Sequence, residues 1–236
     1  MKILAIDTSG QTACAAIVDD YIVIGEISLN ARTGEKSWTH SEILMPGIDK
    51  LFNLVGVDRQ SIDHIAYTNG PGSFTGLRIG ASTALGLGAG LNRPTIPVPT
   101  LDALAYNVKG SGRAVVPMMD ARRGQVYAAI YNEETVRVSD YFALSVDDIM
   151  SLAPKNAIFL GDGACAYKEI ILAKNPNAVF ACQNNNRQRA SSAAVWALEQ
   201  INAGFTPGDK VEILYVRAPQ AVQDLQRREA RRARDV

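Results

Sequence analysis

Histidine is scarce in this chain: His40 and His64 are the only two in 236 residues, and no His-x-x-x-His pair exists to hold a metal. Cysteine is scarce too. Cys14, Cys165 and Cys182 are odd in number and lack metal spacing, which argues against a disulfide framework and for buried free thiols in a reducing compartment. Net charge is absent, with 24 basic residues against 24 acidic ones and a pI near 6.7. The molecule as a whole therefore offers no strong field toward nucleic acid or membrane. No apolar run is long enough to span a bilayer, and Asp7 interrupts the apolar start too early for a signal peptide. Cytoplasm is the expected compartment, with no membrane partner.

Two common catalytic signatures are also missing. No Lys-Ser/Thr follows the glycines at P-loop spacing, and around Ser73 the second glycine, Gly76, stands one place too far for a Gly-x-Ser-x-Gly elbow. What is present is Asn69 to Gly80, Asn-Gly-Pro-Gly-Ser-Phe-Thr-Gly-Leu-Arg-Ile-Gly. It joins a strand-like run, His64 to Thr68, to a small-residue apolar helix reaching Leu91. Gly70, Gly72 and Gly76 allow positive φ or close backbone approach, and Ser73 or Thr75 can cap the helix. On spacing alone, a packed turn and an anion site with outward amides both fit. Gly76, Gly80, Gly86, Gly88 and Gly90 each cost roughly 1 kcal/mol relative to alanine in an exposed helix interior. They imply close approach by another backbone, a partner's included.

The first 27 residues read as a three-strand meander ending its first strand at Asp7-Thr8-Ser9-Gly10. A helix follows from Thr39 to Val55, with Ile43, Leu44, Ile48, Leu51 and Leu54 at helical spacing and Pro46 inside it. His40 sits at its start, where a polar capping role is expected. Thr95 to Val98 reads as a strand and Thr100 to Val108 as a helix. The plan then repeats. Ala114 to Asp120 is a second strand ending on aspartate, and Ala128-Ala129-Ile130 follows it at the separation by which Ala15-Ala16-Ile17 follows Asp7. Ala157 to Leu160, Gly161 to Ala164 and Tyr167 to Ala173 echo strand, glycine turn and helix. Arg189 to Ala203 makes a last helix, stopped by Gly204.

The expected units are 1–108, 109–218 and a basic tail, 219–236. From Gln226 onward five arginines face Glu229 and Asp235, giving +3 locally and −3 for the rest. A solvated helix and an RNA-phosphate arm are the two readings of that end. Asp7-Thr8-Ser9-Gly10 suits a phosphate and Mg²⁺ site, with Asp120 as its mirror across a cleft. Ala121-Arg122-Arg123-Gly124 opposes efficient catalysis there, since bulky side chains stand where phosphate needs small residues beside exposed amides.

In order, Ile6-Asp7-Thr8-Ser9, His40-Ser-Glu-Ile-Leu-Met-Pro46, the Asn69 to Gly80 stretch, Met119-Asp-Ala-Arg-Arg-Gly-Gln-Val-Tyr127 and Tyr215-Val-Arg217 resemble the TsaB family, also called YeaZ. The likeness runs nearly to Ala218. It implies an α/β, actin-like ATPase (ASKHA, ribonuclease H-like) fold of two duplicated domains, with mixed sheets flanked by helices. It also implies a non-catalytic subunit that forms a heterodimer with TsaD, the transferase of the threonylcarbamoyl group to N6 of a tRNA adenosine. TsaE joins them, tRNA is met through the complex, and the chain alone forms a homodimer.

The resemblance gives the partner interface as Ser41, Leu44, Met45, Ile48, Ser73, Phe74, Thr75, Leu77, Arg78, Gly80, Ala81, Ala84, Gly86 and Gly88. It leaves Asp7, Thr8, Ser9, Asp120, Arg122 and Gly163 as a vestigial nucleotide site. Thr100 and Leu104 stand where TsaD carries metal-binding histidines, so no metal is expected. No cofactor of its own is expected either, beyond weak ATP or ADP with Mg²⁺ at the cleft or partner interface. A free-standing nucleotide phosphohydrolase or kinase using Asp7 and Asp120 is the alternative.

Overall fold

A computed structural model describes residues 1–30, 38–208, 210 and 212–217. Its first sheet holds the meander β1 (Lys2–Asp7), β2 (Thr12–Asp19) and β3 (Ile22–Asn30), with β4 (His64–Gly70) and β5 (Thr95–Pro99) added in parallel beyond β1. The second holds β6 (Val115–Asp120), β7 (Gln125–Ala128), β8 (Phe142–Ser145), β9 (Ile158–Leu160) and β10 (Val179–Phe180). Both have one topology: β3-β2-β1-β4-β5 in the first, β8-β7-β6-β9-β10 in the second. Helices fill matching slots. These are α1 (His40–Val55) and α4 (Val146–Leu152), then α2 (Phe74–Leu91) and the pair α5 (Asp162–Ala166) and α6 (Lys168–Lys174), then α3 (Thr100–Ala105) and α7 (Ala190–Asn202).

The repeat thus extends to the whole topology. Asp7 pairs with Cys14, whereas Asp120 pairs with Val126, so the second hairpin is one residue shorter. Ala128 consequently matches Ala16, and the Gly-Gln dipeptide slips by one place.

β1 reads as an uninterrupted apolar run because both its faces are covered. Leu4 and Ile6 pack toward Leu44, Ile48 and Leu51 of α1 and Ala81 and Ala84 of α2. Ile3 and Ala5 pack on the other side against Ala190, Ala193, Ala194 and Ala197 of α7. That helix comes from the second half of the chain. In return α3, from the first half, buries Leu101 and Leu104 against Val115, Met119 and Leu160 of the second sheet. The units 1–108 and 109–218 follow the chain, while packing interleaves them; 219–236 lies outside the described residues.

Several local expectations change. The close approach inferred for the α2 glycines comes from within the chain at three of them. A Cβ on Gly76 would overlap the Thr8 carbonyl oxygen, one on Gly80 would overlap Thr8 Oγ1, and one on Gly88 would lie 2.9 Å from the Arg93 oxygen. Gly86 and Gly90 face open space. Only Cys14 is a buried thiol, since Cys165 and Cys182 are exposed. The expected turn at Gly161 to Ala164 contracts to Gly161 at φ 98°, and Asp162 already begins α5. No described helix is long and apolar enough to cross a membrane.

Candidate functional site

The two strand-end hairpins face each other across a cleft of about 450 Å³. Ser9, Gly10, Gln11, His40, Ser73 and Gly76 line one wall, and Met119, Asp120, Arg122, Tyr127 and Asp162 the other. In the β1–β2 hairpin, Asp7 accepts hydrogen bonds from the Ser9 amide (2.8 Å) and hydroxyl (2.6 Å). Burial pushes the Asp7 carboxyl above its ordinary value of 3.8, opposed by those two bonds. Across the cleft, Asp120 accepts from the Arg122 amide at 2.8 Å and pairs with its guanidinium at 3.3 Å. Asp162 accepts the Asp120 amide at 3.2 Å, and burial raises its pKa as well.

Two amides of the glycine turn are spent within the chain rather than turned outward. The Ser73 amide donates to the Ser9 carbonyl at 2.7 Å, and the Gly76 amide to Ser73 Oγ at 3.2 Å, so Ser73 caps α2 as expected and the loops close on each other. Gly72 is there because a Cβ would overlap the Ser9 carbonyl oxygen, less than 3 Å away. Of the six residues expected at a nucleotide site, Ser9, Asp120 and Arg122 line the cleft. Asp7 and Thr8 lie beneath it, Thr8 Oγ1 donating to the Gly76 carbonyl at 2.7 Å, and Gly163 is tucked against the Met118–Met119 backbone.

His40 does not cap α1. Thr39 does, its amide donating to Glu42 Oε2 at 2.7 Å, and His40 turns to the cleft with Nε2 3.5 Å from the Gln11 carbonyl. Asp162 and Tyr127 are cleft residues that sequence reasoning missed. Asp162 carried a signal, an acid directly after the strand-ending Gly161 in the repeat. Thr100 and Leu104 are both buried, Leu104 beside Gly161. Among the described residues no three His, Cys, Asp or Glu side chains stand together as a metal site.

A second concavity, about 520 Å³, runs between α1 and α2 and is lined by Ser41, Leu44, Met45, Phe74, Thr75, Arg78, Ile79, Ser82 and Thr83. Met45 is 46% exposed and Phe74 39%. The Arg78 guanidinium lies 3.9 Å from the Phe74 ring centre, and its Nε donates to Tyr215 Oη at 3.4 Å. The expected interface set divides here. Ser41, Met45, Ser73, Phe74, Thr75, Arg78 and Gly86 are exposed, while Leu44, Ile48, Leu77, Gly80, Ala81, Ala84 and Gly88 are buried in the chain's own core and act by holding the helices together.

Two sheets of one mixed topology facing across a cleft define the actin-like ATPase fold class, and the ROK hexokinase of Thermus thermophilus shares it at TM-score 0.50 and 12% identity over 86% of this chain and 100% of that one. YeaZ from Pseudomonas aeruginosa is nearer, with TM-score 0.74 and 22% identity over 91% of this chain and 99% of that one. Residues 34–203 match the family model of TsaD, tRNA N6-adenosine threonylcarbamoyltransferase. The tRNA threonylcarbamoyladenosine biosynthesis protein TsaB of Bacillus subtilis is 33% identical, covering 72% of this chain and 75% of its own. Its Haemophilus influenzae counterpart is 29% identical over 84% and 91%. The chain belongs to the TsaB, or YeaZ, family.

Proposed function

We propose that this chain is the accessory subunit of a tRNA threonylcarbamoyladenosine-forming complex, non-catalytic in itself, which binds TsaD through the α1–α2 face. The observation that carries this is the groove in which Met45 and Phe74 stand exposed beside buried Leu44. An apolar helical face of this kind seeks a helical partner, and in TsaD's absence a second copy of the chain serves. TsaE joins the assembled pair, and tRNA meets the chain within the complex. The Ser9, Ser73 and Arg122 amides are spent inside the chain, which supports a cleft without phosphotransfer. ATP or ADP with Mg²⁺ is held weakly there or at the partner interface.

The test is tRNA modification by purified TsaD, TsaE and the carbamoyl-adenylate synthase, with and without this chain, read by mass spectrometry of the modified adenosine. Dependence on the chain is expected. Equal modification without it would remove the reading, and Mg²⁺-dependent nucleotide turnover by the chain alone, lost on Asp7→Ala, would replace it.

A further inference from the structure

Arg78 is the only charged residue among the 18 of α2, and it stands in the α1–α2 groove. Its neighbours hold it in one place. The guanidinium lies over the Phe74 ring at 3.9 Å, the Tyr215 ring packs on Phe74 at 5.6 Å between centres, and Tyr215 Oη accepts from Arg78 Nε at 3.4 Å. Tyr215 comes from the segment after α7, so the second half of the chain completes a feature of the first. These contacts take up Nε and one face of the guanidinium. Neither Nη nitrogen has a hydrogen-bond partner among the described residues, and no carboxylate among them pairs with Arg78.

The groove supplies no counter-ion. Its lining holds one cation, Arg78, and no acid. α1 carries two acids, Glu42 and Asp49, and both are engaged: Glu42 accepts from the Thr39 amide and hydroxyl, each at 2.7 Å, and Asp49 pairs with Arg59. A second copy offering the same two helices therefore brings a second Arg78 and no free carboxylate. Covering a guanidinium without pairing it leaves a desolvated charge, which opposes association.

We propose that Arg78 selects the occupant of the groove: a partner helix whose apolar face carries one carboxylate, held end-on by the two Nη nitrogens, in preference to a second copy of this chain. The inference rests on the subunit reading for the partner, TsaD, and names the chemistry which that partner must present. Arginine suits the task because its planar fork binds a carboxylate through two parallel hydrogen bonds. A fork already fixed by Phe74 and Tyr215 also loses little freedom on pairing. The apolar lining serves either occupant, and the charge discriminates between them.

The experiment measures affinity for purified TsaD by calorimetric titration and self-association by sedimentation, for the full parent chain and for Arg78→Met, which keeps an unbranched side chain over Phe74 without the charge. The ratio of TsaD affinity to self-affinity is expected to fall at least about tenfold, with unchanged thermal unfolding. Where neither form self-associates, the affinity for TsaD alone decides, by the same factor. Each exposed Asp or Glu of TsaD is then changed to Asn or Gln and titrated against both forms. One of these changes should weaken binding to the parent about as much as Arg78→Met does, and should have no further effect on Arg78→Met. An unchanged ratio, or carboxylate changes whose effects all add to that of Arg78→Met, would overturn the proposal. Met45→Asp separates the two readings. If it weakens TsaD binding while Arg78→Met does not, this inference fails alone; if neither does, the groove is not the docking face and both fail.

Discussion

Gly70 and Leu214 meet backbone to backbone. The Leu214 amide donates to the Asn69 carbonyl at 2.8 Å, and the Leu214 carbonyl oxygen fills the place where a Gly70 Cβ would stand. Gly70 also lies at φ 124°. The segment continues to Tyr215, whose ring is 5.6 Å from that of Phe74, and to Arg217 on Gln125, so it straps the first sheet to the second. Gly70→Ala is therefore expected to lower stability by about 1–3 kcal/mol through strain and to displace the strap as well. Gly204→Ala, at φ 99° with nothing within 4 Å, is the control for strain alone. Urea unfolding of both variants, with proteolysis near residue 214, reads the difference. Equal losses would show that the approach to Leu214 contributes nothing.

The α2 glycines make two opposite predictions. Gly76→Ala and Gly80→Ala force Thr8 to move and break its 2.7 Å bond to the Gly76 carbonyl, so both should unfold at lower urea. Gly86→Ala meets no atom within 4 Å and should raise stability by about 0.5–1 kcal/mol. Denaturation midpoints decide both. A destabilised Gly86→Ala would mean that this part of α2 packs against more than the chain supplies.

The meander and the repeat are legible in the sequence because β1 is buried on both faces and each half ends its first strand on an aspartate. The destination of α7 is not legible. Its apolar face, Ala193, Ala194 and Ala197, fits any sheet of small residues, and only the assembled fold gives it to Ile3 and Ala5 rather than to its own half. The strap is hidden for another reason. Two of its contacts run through the backbone, Leu214 on Asn69 and the Glu212 amide 3.2 Å from the Tyr67 hydroxyl, and backbone bonds leave no side-chain period to read. The cleft is half legible: Asp120 stands out, whereas His40 enters it only because Thr39 takes the cap. The expected interface set mixes the two faces of α1 and α2, since Leu44 and Met45 are neighbours in sequence with opposite burial.

Asp102 predicts a pH dependence. Its buried carboxylate accepts from the Tyr131 and Tyr141 hydroxyls, with Arg137 Nε 3.9 Å away, and burial holds its pKa above 3.8 despite those donors. A carboxyl whose folded pKa is raised binds its proton more tightly when folded. Its contribution is complete below the unfolded value near 3.8 and is lost as pH rises through the folded value. Asp102→Asn should therefore flatten the stability curve just above pH 4 relative to the parent chain, while keeping a carbonyl to accept from both tyrosines. Parallel curves of unfolding free energy against pH would place the proton elsewhere.

Met45 gives the decisive test of the α1–α2 face, because exposure separates binding from folding there. It is 46% exposed in the groove, and on the same helix Leu54 is 72% exposed outside it. An aspartate at either site buries no charge in a single folded chain, so each change should leave the monomer's stability within about 0.5 kcal/mol. At the interface the outcomes diverge. A charge at position 45 would be desolvated against an apolar partner surface, and Met45→Asp should weaken binding to TsaD by at least about tenfold, which is 1.4 kcal/mol. Leu54→Asp should leave it unchanged. Calorimetric titration with purified TsaD, alongside the molar mass of each variant alone, compares the two. If Leu54→Asp were the damaging change, the partner would sit on the far end of α1 and the groove beside Phe74 would need another occupant.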